Sequence, residues 1–333
     1  MKKILIIQTA FIGDVVLATS LIEKLSEFLP EAKLDFLLRK GNESLLNNNP
    51  HIRNVLIWDK KNNKKRNLLS LIKNVRKEKY DIVINLQRFF ATGLITALSG
   101  AEIKAGFDKN PLSKFFTIRI PHIIVGKKPL HETERNNNLI ASFTDNIPAK
   151  PRLYPSEEDF KKVEKFTSIP YITISPTSVW FTKQYPASEW IKFVEQVPPD
   201  HKIFLLGGKD NYEACEDIIR KSSNYNVENL AGQLSFLQSA ALMSSARLNY
   251  VNDSAPLHFA SAMNAPVCAV FCSTIPGFGY YPLSDKSFIA QIDYDLKCRP
   301  CGLHGRKECP LIHFKCAYDI GAQKLLKAFY ADR

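Results

Sequence analysis

The stretch of sequence that decides the fold is residues 3–29, KILIIQTAFIGDVVLATSLIEKLSEFL. It begins with Lys3–Ile7, an aliphatic run of the length and composition found in a buried strand. From Asp14 to Leu29 the apolar residues recur at helical spacing, and Pro30 ends the segment. A buried strand that leads through a short loop into a helix is the opening unit of a parallel α/β sheet.

The same alternation of strands and helices continues through the first half of the chain. Strands are predicted at Leu34–Leu38, Val55–Trp58 and Ile82–Leu86, and helices at Leu68–Lys79 and Phe89–Leu98. Between about Pro121 and Phe166 the pattern weakens and prolines accumulate, which predicts a domain boundary.

After this interruption the pattern begins again. Strands are predicted at Tyr171–Ile174, Ile203–Leu206, Leu248–Val251 and Val267–Phe271, and helices at Ser188–Val197, Tyr212–Lys221, Phe236–Ser244 and Gln323–Tyr330. We therefore predict two Rossmann-like domains in tandem, residues 1–155 and 156–333, with parallel sheets that face a central cleft. The last of these helices is also suited to pack back on the first domain.

The composition restricts the class of protein. The 333 residues suit two domains of ordinary size, and a hydrophobic fraction of 45% is typical of globular proteins. No apolar run approaches the length that spans a bilayer, and the N-terminal run is too short for a signal peptide. We therefore expect a cytoplasmic protein.

The net charge of +12 calls for an explanation. Much of the excess lies between Lys60 and Lys79. An anionic membrane face, a phosphorylated substrate or a nucleic acid would each be attracted to such a surface. A solvated helix face explains the same charges without any partner.

The loop Gln8–Asp14 joins the first strand to the first helix and contains one glycine, Gly13. Asp14 is suited to cap the helix, because a carboxylate there satisfies backbone amides and the helix dipole. The loop also follows the carboxyl end of a strand, where this fold class places active sites, so Asp14 is a candidate general base. The three-glycine dinucleotide motif is absent from the sequence, which argues against a nicotinamide or flavin enzyme.

A second candidate site lies at Asn252–His258, which reads NDSAPLH. An apolar strand runs into Asp253 and Ser254, and Pro256 then starts a helix whose first amides are suited to a diphosphate. Asp253 could accept hydrogen bonds from sugar hydroxyls, and His258 could donate one to a phosphate. The alternative is an ordinary capped helix with a buried, hydrogen-bonded histidine.

A third set of polar side chains follows the predicted strand Tyr171–Ile174. Thr177 and Ser178 bring hydroxyl groups to this loop, and Lys183 brings a positive charge. Hydroxyls and an ammonium group together suit a phosphate-bearing ligand. A single lysine in a loop is usually solvated, so the argument depends on its neighbours.

Four segments of the chain, in this order, resemble the ADP-heptose:lipopolysaccharide heptosyltransferases, glycosyltransferase family 9. The segments are Ala10–Asp14, Ser175–Pro186, Asn229–Gly232 and Asn252–His258. The resemblance extends from the first strand to roughly Pro282, and its most specific part is the Asp-Ser-Ala-Pro-x-His sequence. Ala255 stands where many relatives have glycine, and alanine still permits a close approach of the backbone.

The resemblance implies the GT-B fold, an α/β fold of two Rossmann-like domains, with acceptor bound by the first domain and ADP-sugar by the second. It also implies an inverting transfer, in which Asp14 removes a proton from the acceptor hydroxyl as that hydroxyl attacks the anomeric carbon. Lys183 and backbone amides would stabilise the departing ADP. The donor-binding residues implied in this way are Thr177, Ser178, Lys183, Asp210, Asp253, Ser254, Ala255, Leu257 and His258.

On the acceptor side, the resemblance implies the lipid A–core part of lipopolysaccharide, with its Kdo carboxylates and phosphates. Arg88, His131 and Arg135 are the candidate acceptor-binding residues, and each of them could also be a solvated surface residue. The basic stretch Lys60–Lys79 would dock the enzyme, as a peripheral protein, on the anionic cytoplasmic face of the inner membrane. The family implies no metal and no other cofactor for catalysis, and we expect a monomer without a nucleic-acid partner.

The cysteines near the C-terminal end have a pattern of their own, at Cys298, Cys301, Cys309 and Cys316. The first two have the C-x2-C spacing of metal ligands, and four thiolates would complete a closed structural zinc site or hold an iron–sulfur cluster. The alternative is that they are free thiols in a reducing compartment.

Two further hypotheses stay open. The same fold could serve a transferase or an epimerase that uses another nucleotide sugar, although an epimerase would need additional acid–base residues that the sequence does not single out. A protein of a different class would use its basic face to bind nucleic acid or membrane without catalysis. The interleaved aromatic residues of a single-strand binder are not evident near Lys60–Lys79.

Overall fold

The computed structural model describes residues 1–125 and 129–331. The chain forms two compact units, Met1–Tyr154 and Pro155–Arg333. The division lies in the proline-rich stretch, one residue before the predicted division between residues 155 and 156.

The first unit is built on a parallel sheet. Its strands are β1 (Lys3–Ile7), β2 (Lys33–Arg39), β3 (Ile52–Trp58), β4 (Ile82–Asn85), β5 (Ile103–Phe107) and β6 (Ile118–Ile120). Within the described residues of this unit, the strand order is β3-β2-β1-β4-β5-β6, and each neighbouring pair is parallel. The helices are α1 (Ile12–Phe28), α2 (Lys64–Glu78), α3 (Phe90–Leu98) and α4 (Glu132–Asn137), with 3-10 turns at Glu43–Leu46 and Ser113–Phe115.

The second unit repeats this plan. Its strands are β7 (Tyr171–Ser175), β8 (Lys202–Leu205), β9 (Val227–Asn229), β10 (Leu248–Asn252), β11 (Val267–Val270) and β12 (Ser287–Ala290). In the described part of this unit, all neighbouring strands are parallel and the order is β12-β11-β10-β7-β8-β9. The helices are α5 (Glu157–Glu164), α6 (Ala187–Val194), α7 (Tyr212–Lys221), α8 (Phe236–Ser244), α9 (Ala255–Ala262), α10 (Lys315–Tyr318) and α11 (Ala322–Tyr330), with 3-10 turns at Phe181–Lys183, Lys209–Asn211 and Pro276–Phe278.

Each sheet is covered by its own apolar core. In the first unit, Leu5 and Ile7 of β1 pack with Leu37, Val83 and Ile95. In the second unit, a larger cluster joins the aliphatic side chains of the central strands to the aromatic ring of Trp190. Burial of one such aliphatic side chain contributes roughly 1.5–3 kcal/mol, so the central strands account for much of the stability of each unit.

The elements missed by the sequence analysis are short, polar or peripheral. β6, β9 and β12 lie at sheet edges or have only three residues, so they carry little of the apolar periodicity that marks a strand. β5 contains Gly106, where a Cβ atom would lie 2.5 Å from the Phe116 ring. This glycine therefore reflects close packing of the ring on the strand, which sequence periodicity does not reveal.

The last helix, α11, belongs to the second unit. Its buried residues Leu325 and Phe329 lie in the core cluster of that unit, together with Trp190 of α6. Packing of this helix against the first domain as well stays a prediction. Among the described residues, no helix combines the length and the apolar character needed to cross a membrane.

Candidate active site

The candidate residues lie at the point in each sheet where the strand order reverses. In the first unit this point falls between β1 and β4, and in the second unit between β7 and β10. Loops at the carboxyl ends of such strands form the ligand-binding crevice of doubly wound sheets. Asp14 follows β1, Lys183 follows β7 and Asp253 follows β10, so all three occupy the expected edge of their own sheet.

Asp14 lies in the first turn of α1 and helps to cap this helix. Its carboxylate oxygen Oδ2 accepts a hydrogen bond of 3.1 Å from the backbone N–H of Phe11, the residue that precedes the helix. The side chain is half-exposed. This partly exposed position after the carboxyl end of β1 is compatible with both the capping role and a role as general base.

Side chains from the segments that follow β2 and β3 hold the loop that carries Asp14. The Lys60 ammonium donates to the Thr9 carbonyl over 2.7 Å and to the Thr9 hydroxyl over 3.0 Å. Asn42, beyond the end of β2, donates to the Ala10 carbonyl over 3.2 Å. These bonds fix the loop from two sides, so that Asp14 is presented by a constrained backbone.

Lys60 also lines a cavity of about 390 Å³ at the same edge of the first sheet. Its ammonium lies 4.8 Å from the centre of the Trp58 ring. Burial, together with the nearby charges of Arg39 and Lys64, lowers the pKa of Lys60 to about 8. The cavity is lined by Thr9, Trp58, Lys60, Lys64, Phe89, Phe90, Ala91 and Thr92. It therefore combines two cations with aromatic surface, which suits an anionic ligand that has an apolar or sugar face.

The three predicted acceptor-binding residues have different surroundings. Arg88 is exposed beside the cavity, with its guanidinium 5.7 Å from the centre of the Phe89 ring. His131 is buried, its Nδ1 accepts a hydrogen bond from the backbone of Thr133 at the start of α4, and the Thr133 hydroxyl lies 2.8 Å from the same nitrogen. Arg135 is also buried and forms a 2.7 Å ion pair with Glu132. The structure thus gives His131 and Arg135 roles inside the first unit rather than places among solvated surface groups.

In the second unit, the side chains of Lys183 and Thr274 converge on the carboxylate of Asp253. The Lys183 ammonium lies 2.7 Å from Asp253 Oδ2, and both side chains are largely buried. The Thr274 hydroxyl donates to the same oxygen over 2.6 Å. A buried carboxylate requires this kind of compensation, because its transfer from water without a partner is strongly unfavourable.

The loops around this cluster are tied together by Asn252, the last residue of β10. Its amide oxygen accepts a 2.9 Å hydrogen bond from the Tyr185 backbone, and its amide nitrogen donates to the Pro176 carbonyl over 2.9 Å. Asn252 is fully buried. One side chain thus connects the loop after β7, the start of α6 and the strand that leads to Asp253.

The N-terminus of α9 lies next to Asp253. The helix begins at Ala255, with Pro256 in its first turn, and the Ser254 hydroxyl does not cap it. That hydroxyl instead donates to the Asn252 carbonyl over 3.3 Å. The Leu257 backbone donates to the Ser254 carbonyl over 3.1 Å, which tightens the first turn. The positive end of the helix dipole is therefore aimed at the loop that holds Asp253, a favourable position for an anion.

His258 is buried one turn into α9. Burial lowers its pKa to about 4, while the nearby Asp253 carboxylate acts in the opposite direction and Lys183 in the same direction. Its Nδ1 atom is buried and has no hydrogen-bond partner among the described residues. At neutral pH this histidine is therefore uncharged, so it can contribute a neutral N–H donor but no positive charge.

The remaining predicted donor residues lie on loops at the same edge of the second sheet. Thr177 and Ser178 are half-buried after β7, and the Ser178 carbonyl accepts a 2.8 Å hydrogen bond from Gln184. Asp210 is exposed in the 3-10 turn after β8. This turn is held by Gly232, whose backbone donates to the Gly207 carbonyl over 2.8 Å. Gly232 has a φ of +76°, and a Cβ atom there would lie 2.9 Å from Lys209 Cα, which explains the glycine of this segment.

The four cysteines of the predicted metal site lie near one another in the second unit, and the thiols of Cys298, Cys301 and Cys309 all act on the charge of Cys316. Cys301 Sγ donates to the Cys298 carbonyl over 3.4 Å, and Cys316 is packed in the core of the second unit. Burial, together with the neighbouring thiols, raises the pKa of Cys316 to about 12. Among residues 1–125 and 129–331, no group of three or more histidine, cysteine, aspartate or glutamate side chains is arranged to hold a metal ion. A structural zinc or iron–sulfur site at Cys298, Cys301, Cys309 and Cys316 therefore stays a prediction, as does its alternative of free thiols.

Two residues of the candidate site were not predicted from the sequence. Thr274 belongs to no motif, and only the fold brings the loop after β11 to Asp253. Lys60 was assigned to a general basic stretch, although the sequence Trp58-Asp59-Lys60 at the end of a strand was a usable signal. A cation next to an aromatic residue at the carboxyl end of a parallel strand indicates a ligand site more strongly than a charge within a helix does.

Two doubly wound units in one chain, each with polar loops at its switch point, form the architecture of the GT-B fold class. Comparison with known proteins narrows this class. The model of the glycosyltransferase family 9 (heptosyltransferase) matches residues 68–310. The chain therefore belongs to this family, and the resemblance seen in its sequence is confirmed.

Individual relatives agree with the family. The chain is 28% identical, over 79% of its length and 80% of the relative, to the lipopolysaccharide heptosyltransferase 3 of Escherichia coli K12. It is 24% identical to the lipooligosaccharide heptosyltransferase 2 of Campylobacter jejuni, over 98% of this chain and 96% of the relative. The solved structure of the E. coli ADP-heptose LPS heptosyltransferase II matches with a TM-score of 0.80 at 22% identity, over 99% of this chain and 98% of the other. This structural match confirms the fold class.

Proposed function

We propose that this protein is an inverting, metal-independent transferase that moves heptose from ADP-heptose to the inner core of lipopolysaccharide. The observation that carries the proposal is the cluster of Lys183, Asp253 and Thr274 beside the N-terminus of α9. The names of its relatives, which are lipopolysaccharide and lipooligosaccharide heptosyltransferases, support the choice of donor and acceptor.

The second unit supplies the donor chemistry in this proposal. The Asp253 carboxylate accepts hydrogen bonds from sugar hydroxyls, and Lys183 balances the charge of the diphosphate. Because His258 is neutral, the positive potential at the leaving group comes from Lys183 and the amides of α9. These groups are fixed before the reaction, so they stabilise the negative charge that develops on ADP without reorganisation.

The first unit supplies the acceptor chemistry. Asp14 accepts the proton of the attacking hydroxyl, and the loop bonds from Lys60 and Asn42 hold it in position. The cavity beside this loop binds the acidic sugars and phosphates of the acceptor through Lys60 and Lys64. Its exposed rings, Phe89 and Phe90, contact the apolar faces of the same ligand.

The exposed side of α2, which begins at the cavity residue Lys64, is suited to an anionic membrane surface. The helix α2 carries basic residues along its exposed side, and we propose that they bring the enzyme to the cytoplasmic leaflet on which a lipid-linked acceptor is presented. This peripheral association should weaken with salt, because it is electrostatic and its range is set by the Debye length.

The first test is titration calorimetry with ADP, UDP and GDP, with and without EDTA, followed by a transfer assay with ADP-heptose. Saturable binding of ADP alone, unchanged by EDTA, together with heptose transfer to a lipid A–core acceptor, is the expected result. A preference for UDP or GDP would refute the heptose donor and favour another nucleotide sugar. Absence of binding by all three nucleotides would favour a non-catalytic protein.

A further inference from the structure

The C-terminal cysteine-rich segment packs directly behind the donor site. Its central part is residues 299–306, which lie between Cys298 and Cys309 in the sequence. Its Cys301 backbone donates to the Ser273 carbonyl over 2.8 Å. The Arg299 guanidinium donates to the Thr274 carbonyl over 2.8 Å and to the Phe271 carbonyl over 3.1 Å. The segment is thus bonded to the loop that carries Thr274, one of the two partners of Asp253.

The same segment holds the other partner of Asp253. The Arg306 backbone N–H donates to the Thr182 hydroxyl over 2.7 Å, and its carbonyl accepts from the Thr182 backbone over 3.1 Å. The Ser273 hydroxyl donates to the same Thr182 hydroxyl over 2.9 Å. Thr182 immediately precedes Lys183 and is buried, so these three bonds fix the backbone from which the lysine side chain projects.

Gly305 brings the segment into contact with the lysine itself. A Cβ atom at this position would lie 2.9 Å from Lys183 Cγ, 3.0 Å from the Thr182 hydroxyl and 3.3 Å from the Ser273 hydroxyl. Gly305 also has a φ of +75°, which favours glycine. The absence of a side chain therefore leaves just enough space for the Lys183 stem in its ion pair with Asp253.

We infer that residues 299–306 are a positioning element of the donor site, and that Gly305 and Arg306 set the place of Lys183. The role rests on the proposed function, because Lys183 is taken to balance the charge of the donor diphosphate. The segment touches neither the sugar nor the phosphate in this proposal. It acts through Thr182, Lys183 and Thr274, and its removal should weaken donor binding without changing acceptor binding.

The chain offers a matched control for Gly305. Gly302 belongs to the same segment and has nearly the same φ, +76°, but a Cβ atom there would meet no described atom within 4 Å. Gly305→Ala and Gly302→Ala therefore share the backbone strain, and only the first adds contact with Lys183. We expect Gly305→Ala to raise the Kd of ADP and the KM of ADP-heptose about tenfold, since charge-assisted hydrogen bonds are sensitive to geometry. Gly302→Ala should leave both within about twofold of the wild type, and the acceptor KM should not move in either variant.

A double-mutant cycle with Lys183→Ala distinguishes positioning from general damage. If Gly305→Ala acts through the lysine, it should cause no further loss of ADP affinity once Lys183 is alanine. As a second variant, Thr182→Val removes the hydroxyl that Arg306 and Ser273 share, and it should raise the Kd of ADP while circular dichroism shows a folded protein.

Two results would overturn this role. One is equal ADP affinity for Gly305→Ala and Gly302→Ala, and the other is an undiminished effect of Gly305→Ala in the Lys183→Ala background. Either result leaves the proposed transferase function intact. Failure of the wild-type protein to bind ADP would instead refute the proposed function, and this role with it.

Discussion

Replacement of Asp14 by asparagine separates the two roles that the start of α1 gives to this side chain. The carboxylate accepts a 3.1 Å hydrogen bond from the Phe11 backbone, which caps the helix, and in the proposed mechanism it also takes the proton of the acceptor. Asparagine has an oxygen at the equivalent position and can accept the same hydrogen bond. It cannot serve as a general base, because its amide is not basic at neutral pH.

The expected sizes of the two effects differ widely. Loss of the negative charge at the helix N-terminus costs roughly 0.3–1 kcal/mol of stability, since the hydrogen bond itself is retained. Loss of a general base lowers kcat by about 10²–10⁴-fold. Asp14→Ala also removes the hydrogen bond and should cost about 0.5–2 kcal/mol, so it confuses the two effects.

Asp159 provides the matched control. It occupies the same position at the start of α5, where its Oδ2 accepts a 2.9 Å hydrogen bond from the Ser156 backbone. Like Asp14 it is half-exposed. Asp159→Asn should therefore destabilise the protein to a similar extent and leave kcat unchanged. Steady-state transfer of heptose from ADP-heptose, with thermal unfolding of both variants, measures the two quantities.

One outcome would refute this reasoning. If Asp14→Asn retains kcat within about threefold of the wild type, at saturating acceptor, Asp14 contributes far less than a general base does. It would then be a helix cap alone, as Asp159 is. A large fall of kcat in Asp159→Asn would also contradict it, because the loss would then follow from helix capping in general.

Four further measurements test other parts of the structure. The pKa of His258 is about 4 in the folded protein and 6.5 in a solvated histidine, so the unfolded chain binds the proton first. The free energy of unfolding should therefore fall by up to about 3 kcal/mol between pH 6.5 and pH 4, and by less in His258→Gln, as measured with urea. Because the pKa of Lys60 is about 8, the acceptor KM should rise several-fold between pH 7 and pH 9, and Lys60→Arg should abolish that rise. Asn252→Asp cannot donate to the Pro176 carbonyl and should lower the free energy of unfolding by roughly 1–3 kcal/mol. A thiol reagent at pH 7.5 should react quickly only with the half-buried thiols of Cys298, Cys301 and Cys309. If these thiols are instead protected until a chelator is added, they bind a metal.

The thiol measurement bears on a prediction that the sequence could not decide. The C-x2-C spacing of Cys298 and Cys301 is compatible with a metal site, but spacing alone does not fix where the sulfurs point. In the structure, Cys316 is buried in the core of the second unit, and Cys301 Sγ donates a hydrogen bond to the Cys298 carbonyl. Metal ligation depends on convergence within a few tenths of an ångström, and local sequence does not specify such convergence.

The acceptor-binding predictions show the same limit. Arg88, His131 and Arg135 were chosen for their chemistry, and only Arg88 is an exposed cation beside the cavity. His131 and Arg135 are buried at the start of α4, where they form a helix cap and an ion pair. A sequence gives the charge of a side chain, whereas its burial depends on which elements pack against it.

The sequence by itself determined the tandem of parallel sheets and the positions of the loops after β1, β7 and β10. These features follow from short-range periodicity, since alternation and helical spacing are properties of neighbouring residues. Only the tertiary structure decided which side chains meet: Thr274 with Asp253, and Arg306 with Thr182, 124 positions apart in the chain. Contacts at such separations depend on strand order and on the course of the connecting loops, so their residues carry no local signal.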